Sequence, residues 1–367
     1  MNRLKEIYIR NKKMPLPAFF PDATFGYVRG VSSEDLINCG IKGLVVNTYH
    51  LLHKNLIEEI KIKKGIHKYM NFNGIIISDS GGFQVMSLIH DNPENGKIYD
   101  DKVIFKLDSK KVILTPELCV KMQFEIKSDI IMCLDDCTYP DMLYKEQKKS
   151  VERTISWACR CKIEFERLTS KMKESEKPLI FGIIQGGKNL ELRKKCAEEL
   201  IKIGFDGYAF GGWPAEDGKF LHNILKYTAE LMPDDKLKYA MGVGKPEDIV
   251  YCTKIGYNMF DCVIPTREAR NNRLYEFKKS FLGTGLFGLK NLDEKGNFYK
   301  YVRVRNLKYK DDKKPISNNC DCYACRNFSR AQIYKMFKER NAEAVRLATM
   351  HNLRFYSKLM ERLQKDN

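Results

Sequence analysis

Eight short apolar runs separated by helical segments constrain the fold of this chain more than any other feature. The runs are Leu16–Pro21, Gly43–Asn47, Gly74–Asp79, Asp129–Asp135, Leu179–Gln185, Gly207–Gly212, Tyr239–Val243 and Met259–Ile264. Between them, Ser32–Cys39, Thr115–Lys127, Asn189–Ile203 and Pro246–Lys254 carry apolar residues at helical spacing. Strands alternating with helices predict a parallel sheet. Eight such units predict an α/β protein built on a closed (β/α)8 barrel, with a doubly wound open sheet as the alternative.

Polar residues at the ends of these runs strengthen the barrel reading. Asp22, Asn47, Asp79, Asp135, Gln185, Gly212 and Asp261 sit at or just past the C-terminal end of an expected strand. In a barrel those ends meet on one face, where active sites lie. Two of them stand in segments that suggest chemistry. Met259-Phe260-Asp261-Cys262-Val263-Ile264-Pro265-Thr266-Arg267 ends a strand in a carboxylate and runs into a basic turn. Ile75-Ile76-Ile77-Ser78-Asp79-Ser80-Gly81-Gly82 repeats the form, with glycines after the carboxylate. Two carboxylates on two strand ends are the minimum needed to break and remake a glycosidic bond. Taken singly, Asp79 could instead cap a helix, and Asp135 and Asp136 could simply end a strand.

The formal charge of +17 over 367 residues favours a polyanionic partner, nucleic acid first. A lysine-rich proteome would give a similar balance. The start, Met1-Asn2-Arg3-Leu4-Lys5-Glu6, has no apolar signal region, and no run approaches the ~18 residues of a membrane span. The twelve cysteines are therefore expected to be cytoplasmic thiols or metal ligands rather than disulfides. Cys320, Cys322 and Cys325, followed by His351, match a closed structural zinc site of three thiolates and one imidazole. Around them, residues 276–319 are basic and read as a hairpin or loop insertion, and Ser329–Gln364 as one long helical segment. The expected division is a catalytic barrel over 1–275, with the insertion, zinc subdomain and C-terminal helices over 276–367.

Together the motifs Asn47-Thr48-Tyr49-His50-Leu51, Asp79–Phe83, Phe181–Gly187, Met241–Pro246, the Asp261 run and the cysteine cluster resemble the tRNA-guanine transglycosylase family. The resemblance covers nearly the whole chain. It implies a barrel enzyme with one structural Zn2+ that exchanges guanine at the wobble position of the tRNA anticodon loop for a 7-deazaguanine base. By resemblance Asp261 is the nucleophile and Asp79 the general acid/base. Asp79, Ser80, Gly81, Gly82, Phe83, Asp135, Gln185, Gly212 and Met241 would bind the base, with Phe83 and Met241 sandwiching it. Gly242, Val243, Gly244, Lys245, Pro246, Glu247 and Asp248, with Thr266, Arg267, Glu268, Ala269 and Arg270, would bind RNA. The family setting is cytoplasmic, without a membrane partner, and leaves room for a homodimer.

Three departures from the family pattern carry further expectations. The segment before the first strand is short, so its hairpin should be reduced. Residues 276–319 are longer than in typical bacterial forms. Gly211-Gly212-Trp213-Pro214-Ala215-Glu216 and Phe20-Pro21-Asp22-Ala23 replace the usual pocket segments. Asp22 is expected to meet the amine of the incoming base, queuine or its aminomethyl precursor, and Trp213-Pro214 to stiffen the loop over it. Other readings are a non-catalytic RNA-binding partner subunit on the same fold, or a transglycosylase acting on another tRNA position or on DNA.

Overall fold

The structure is a computed structural model and describes residues 4–108, 110–278 and 298–365. Its centre is an eight-stranded sheet of β1 (Ala18–Pro21), β2 (Gly43–Asn47), β3 (Ile75–Asp79), β4 (Ile130–Met132), β5 (Leu179–Ile184), β6 (Gly207–Phe210), β7 (Leu237–Ala240) and β8 (Met259–Cys262). Every neighbouring pair along the sheet is parallel. The remaining seam, between β1 and β2, is joined by a parallel Asp22–Val45 bridge, with Ala23 N–H donating to Val45 C=O at 2.7 Å. The ring is thus a (β/α)8 barrel, as the eight runs predict. The expected strands are all found, most of them a residue or more shorter. β4 is shortest, because its run ends at Met132 and the chain then leaves the sheet.

Alternation decides what faces inward. Phe20, Val45, Ile75, Ile77, Phe181, Ile183, Leu237, Tyr239 and Met259 pack together as the barrel interior, and the intervening residues pack under the helices. Continuing the same parity upward gives Asn47, Asp79, Gln185, Met241 and Asp261. The polar face is therefore the next layer of the same side-chain column.

The lower end is closed by a hairpin, Glu6–Ile9 with Lys12–Pro15. The hairpin is present with strands of four residues each. Arg10 and Asn11 both adopt positive φ, 48° and 64°, which suits a two-residue turn. Ile7, Ile9 and Met14 then reach the barrel interior. A three-stranded antiparallel sheet, Gly96–Ile98, Val103–Leu107 and Lys110–Leu114, lies between β3 and β4 and was not anticipated.

After β8, helix Ile264–Arg270 leads into strand Arg273–Phe277, which pairs antiparallel with Tyr299–Arg303. The hairpin expected within 276–319 is therefore present and begins earlier; residues 279–297 of the expected insertion lie outside the described residues. The helical segment expected over Ser329–Gln364 is two helices, Arg330–Lys338 and Ala342–Lys365. Arg340 breaks them with φ 55°, and Asn341 Oδ1 accepts from the Glu343 amide of the second. That last helix packs along β1 and helix Ile264–Arg270. Asn352 Nδ2 donates to the carbonyls of Pro265 and Arg273, both at 3.0 Å, and Tyr356 Oη to that of Gly244 at 2.6 Å. Among the described residues no helix is long and apolar enough to cross a membrane.

Candidate active site

A cavity of about 510 Å³ opens on the C-terminal face of the barrel. Asp79, Asp135 and Asp261 line it, with Phe83, Gly212, Met241, Gly242 and Arg267. Each carboxylate owes its place to local chain geometry. Asp261 and Asp79 complete the inward columns of β8 and β3. Asp135 breaks the column of β4, because the strand ends three residues earlier.

Asp261 Oδ1 accepts from Tyr239 Oη at 2.6 Å and from the Gly242 amide at 2.9 Å. Gly242 turns the chain with φ +72°, a conformation that glycine adopts without steric cost. Asp79 Oδ2 accepts from Asn47 Nδ2 at 2.7 Å, and the same amide group donates to Gln84 Oε1 at 2.9 Å. Asp135 Oδ2 accepts from Gln185 Nε2 at 2.6 Å.

Burial pushes all three carboxyl groups above their ordinary range. Asp261 rises to about 6 through burial, its hydrogen bonds from Tyr239 and Gly242 opposing the shift. Asp79 also rises to about 6, through burial and then the negative charge of Asp261. Asp135 rises to about 7, again chiefly through burial, with Asp79 adding repulsion. Perturbed carboxyl groups gathered in one cleft are a mark of function rather than of packing.

Not every expected residue faces the cavity. Ser80, Gly81 and Gly82 turn the chain from β3 into helix Gly82–Asp91, and so aim Phe83. Ser80 Oγ accepts from the Gly82 amide at 3.1 Å, and a side chain on Gly82 would press on Asp135. Gln185 is buried behind Asp135. Asp22 does not line the cavity. Its Oδ1 accepts from the Thr24 amide at 3.1 Å and from the Thr24 hydroxyl, so this oxygen holds a turn, while the Asp22 charge acts on Asp261 and Arg270. Trp213 does line the cavity, edge-on to Phe83 at 5.1 Å and stacked on Tyr139 at 5.6 Å, so the loop is braced as expected.

Of the residues expected to touch RNA, Gly242, Lys245 and Arg267 are exposed, and Glu247, Asp248 and Arg270 half-buried. Val243, Gly244, Pro246, Thr266, Glu268 and Ala269 are buried and shape the two segments from within. Burial, with the like charges of Arg29 and Arg267, holds Arg270 below its ordinary range. Of these arginines Arg267 lines the cavity.

Two contributors were missed in the sequence. Tyr239 could have been found from parity, since it shares the inward column of Met241. Arg193 gives no such signal. It is buried on helix Leu190–Ile203 and donates to the carbonyls of Ile184, Gly187 and Gly211 at 2.8–3.0 Å, with Phe210 4.2 Å from its guanidinium. It thereby fixes the backbone that presents Gly212.

Away from the cavity, the ligand atoms of Cys320, Cys322, Cys325 and His351 lie within 4.8 Å of one another and could hold a metal ion. The donor set fits one. His351 Nε2 donates to the Tyr275 carbonyl at 2.6 Å, which leaves Nδ1 as the lone-pair nitrogen, 3.2 Å from Cys325 Sγ.

A family model described as queuine tRNA-ribosyltransferase matches residues 1–366. A protein of that name from Psychrobacter sp. (strain PRwf-1) is 40% identical over 97% of this chain and 87% of its own length. One from Actinobacillus pleuropneumoniae serotype 3 is 39% identical over 95% and 84%, and one from Blochmanniella floridana 38% over 95% and 85%. With its barrel, its carboxylate-lined cavity and a match along nearly its full length, this chain belongs to the queuine tRNA-ribosyltransferase family.

Proposed function

We propose that this protein is a tRNA-guanine transglycosylase of queuosine modification, a pentosyltransferase that exchanges guanine at the wobble position for a 7-deazaguanine base. The observation that carries the reading is the placement of Asp79 and Asp261 on two strand ends in one base-sized cavity. Both hydrogen bonds to Asp261 go to Oδ1, so Oδ2 is the attacking oxygen. It bonds to C1′ of the nucleotide as the bond from C1′ to guanine breaks. The electron pair goes to the purine, and Asp79 supplies its proton. In the second half the incoming base gives its proton to Asp79 and attacks C1′, releasing the Asp261 carboxylate. Asp135 reads the purine edge from the cavity wall, and Gln185 does so through the bond that orients it. The Gly212 amide adds a donor, and Phe83 and Met241 cover the base faces.

Residues 1–275 then form the catalytic core, with 276–367 as the basic and metal-binding part. The ion is Zn2+ in a structural role. Zinc–sulfur bonds of ~2.3 Å put neighbouring sulfurs about 3.8 Å apart, within the span of this cluster. Free thiols and a tRNA substrate suit the cytoplasm.

Incubation with tRNA and labelled guanine tests the reading. Label should enter tRNAs that carry guanine at the wobble position, and an excess of queuine or its aminomethyl precursor should chase it out. A chain that binds such tRNAs without incorporating label would be the non-catalytic partner subunit instead.

A further inference from the structure

Asp135 reaches the cavity from a segment that no strand holds. Its strand, β4, ends at Met132, and the last ladder bond runs from the Cys133 amide to the Phe181 carbonyl at 3.0 Å. Among the described residues, no backbone group of 134–138 bonds to a neighbouring strand, yet all of these residues are buried. One face of helix Tyr144–Thr169 replaces the ladder, and its bonds converge on Asp136. Thr154 Oγ1 accepts from the Asp136 amide at 3.0 Å, and Ser150 Oγ donates to the Asp136 carbonyl at 2.5 Å. Arg153 forms an ion pair with the Asp136 carboxylate. Ser150, Arg153 and Thr154 are spaced to lie on one side of a helix. Asp136 therefore turns its backbone and its side chain to the helix, while Asp135, one residue earlier, lines the cavity.

The helix face is itself moored. The other arm of the Arg153 guanidinium donates to Asp100 Oδ1 at 3.1 Å, and Trp157, a turn further on, donates from Nε1 to the Asp100 carbonyl at 2.7 Å. Asp100 stands in the turn between Gly96–Ile98 and Val103–Leu107, so the antiparallel sheet inserted between β3 and β4 braces the helix. A buried ion pair seldom adds much net stability, because desolvation cancels most of the attraction; what it can supply is a single geometry. Here that geometry serves Asp135. Two other sides of Asp135 are already confined, since Gln185 Nε2 donates to Oδ2 at 2.6 Å and a side chain on Gly82 would come within 3.1 Å of Oδ1. The clamp on Asp136 fixes the backbone behind it.

We propose that Ser150, Arg153 and Thr154 are positioning residues for base recognition, acting through Asp136 to hold the Asp135 carboxylate against the purine edge. The proposal rests on the reading of Asp135 as the group that meets that edge. Guanine offers a carboxylate two donors there, the ring N1–H and the exocyclic amine, and hypoxanthine keeps only the first. The test is equilibrium dialysis of the full-length protein with labelled guanine and with labelled hypoxanthine. S150A/T154V frees the backbone of Asp136 and leaves the ion pair. D136N/R153M replaces the ion pair with neutral groups of similar size, so no buried charge is stranded. A carboxylate that swings away weakens two bonds to guanine and one to hypoxanthine, and a hydrogen bond to a charged group is worth about tenfold or more in affinity. Each variant should therefore weaken guanine about tenfold and hypoxanthine about threefold, and in guanine exchange the loss should appear in KM rather than in kcat. A generally loosened fold would weaken both bases alike. Equal weakening, or unchanged guanine affinity in both variants, would thus overturn the proposal. D135N separates positioning from reading, and it should bring the two bases to nearly equal affinity. If D135N leaves guanine's advantage intact, the reading of Asp135 falls and the proposal with it. If D135N abolishes that advantage while S150A/T154V and D136N/R153M keep it whole, the positioning role alone falls.

Discussion

The two ends of the barrel treat the same side chain in opposite ways. At the lower end, buried Asp129 accepts from Lys12 Nζ and His67 Nε2, both at 2.8 Å, and from the Ile76 amide at 2.9 Å. Burial alone would push it up, but His67 and Lys12 hold it below the ordinary carboxylate range. At the upper end, Asp79, Asp135 and Asp261 have neutral donors for partners and one another for neighbours, and all three are pushed up. The lower carboxylate ties a hairpin to two strands. The upper three are held in a state that a folded protein would shed if stability were the only demand.

The sharpest way to break the comparison is Asp261→Asn. The variant should still bind tRNA but should lose more than about 10⁴-fold in exchange, with no covalent RNA adduct on a denaturing gel. An adduct at normal yield would remove Asp261 as nucleophile. Asp79→Asn should cost roughly 10²–10⁴-fold in kcat, the usual worth of general acid–base help.

The lower end should answer in stability instead. Asp129→Asn leaves half-buried Lys12 and Arg10 without their shared carboxylate and should cost about 1–3 kcal/mol in denaturant unfolding, with kcat nearly unchanged. A stable variant with lost activity would invert the contrast.

The smallest expected effect sharpens it further. Because the folded value of Asp135 is raised, its contribution to stability is complete only below the ordinary carboxylate range and is lost as pH rises through about 7. Wild-type Tm should therefore fall between pH 5 and 8. Asp135→Asn should remove part of that slope and raise Tm by a few degrees at pH 8, at the cost of base binding. Equal slopes in the two proteins would show that Asp135 is not strained by ionisation.

The ring of strands was legible because β2, β3 and β5 are built from branched apolar residues that suit little else. The pair of cavity carboxylates was legible because Asp79 and Asp261 follow such strands without interruption. The gathering of Cys320, Cys322, Cys325 and His351 was legible from spacing alone. What stayed hidden depends on contacts between distant segments. Arg193 looks like any basic residue of an amphipathic helix until its guanidinium is seen among three carbonyls of the β5 and β6 loops. That Thr24, two residues on, takes one oxygen of Asp22 is likewise seen only in the folded turn. The closing hairpin depends on two residues, Arg10 and Asn11, that adopt a left-handed backbone without glycine.

The C-terminal helix also bears on how the molecule comes into being. β1 pairs fully with β8, some 240 residues later in the chain, and helix Ala342–Lys365 packs across β1 only after that, with Gln364 Nε2 donating to the Pro17 carbonyl at 2.8 Å. At synthesis rates of about 5–20 residues per second, β1 waits on the order of 20–70 s outside the ribosome before its neighbours exist. Through that interval its apolar residues Phe19 and Phe20 have no finished barrel to enter, so nascent-chain chaperones have a longer task here than on a protein whose strands all pair with neighbours in chain order.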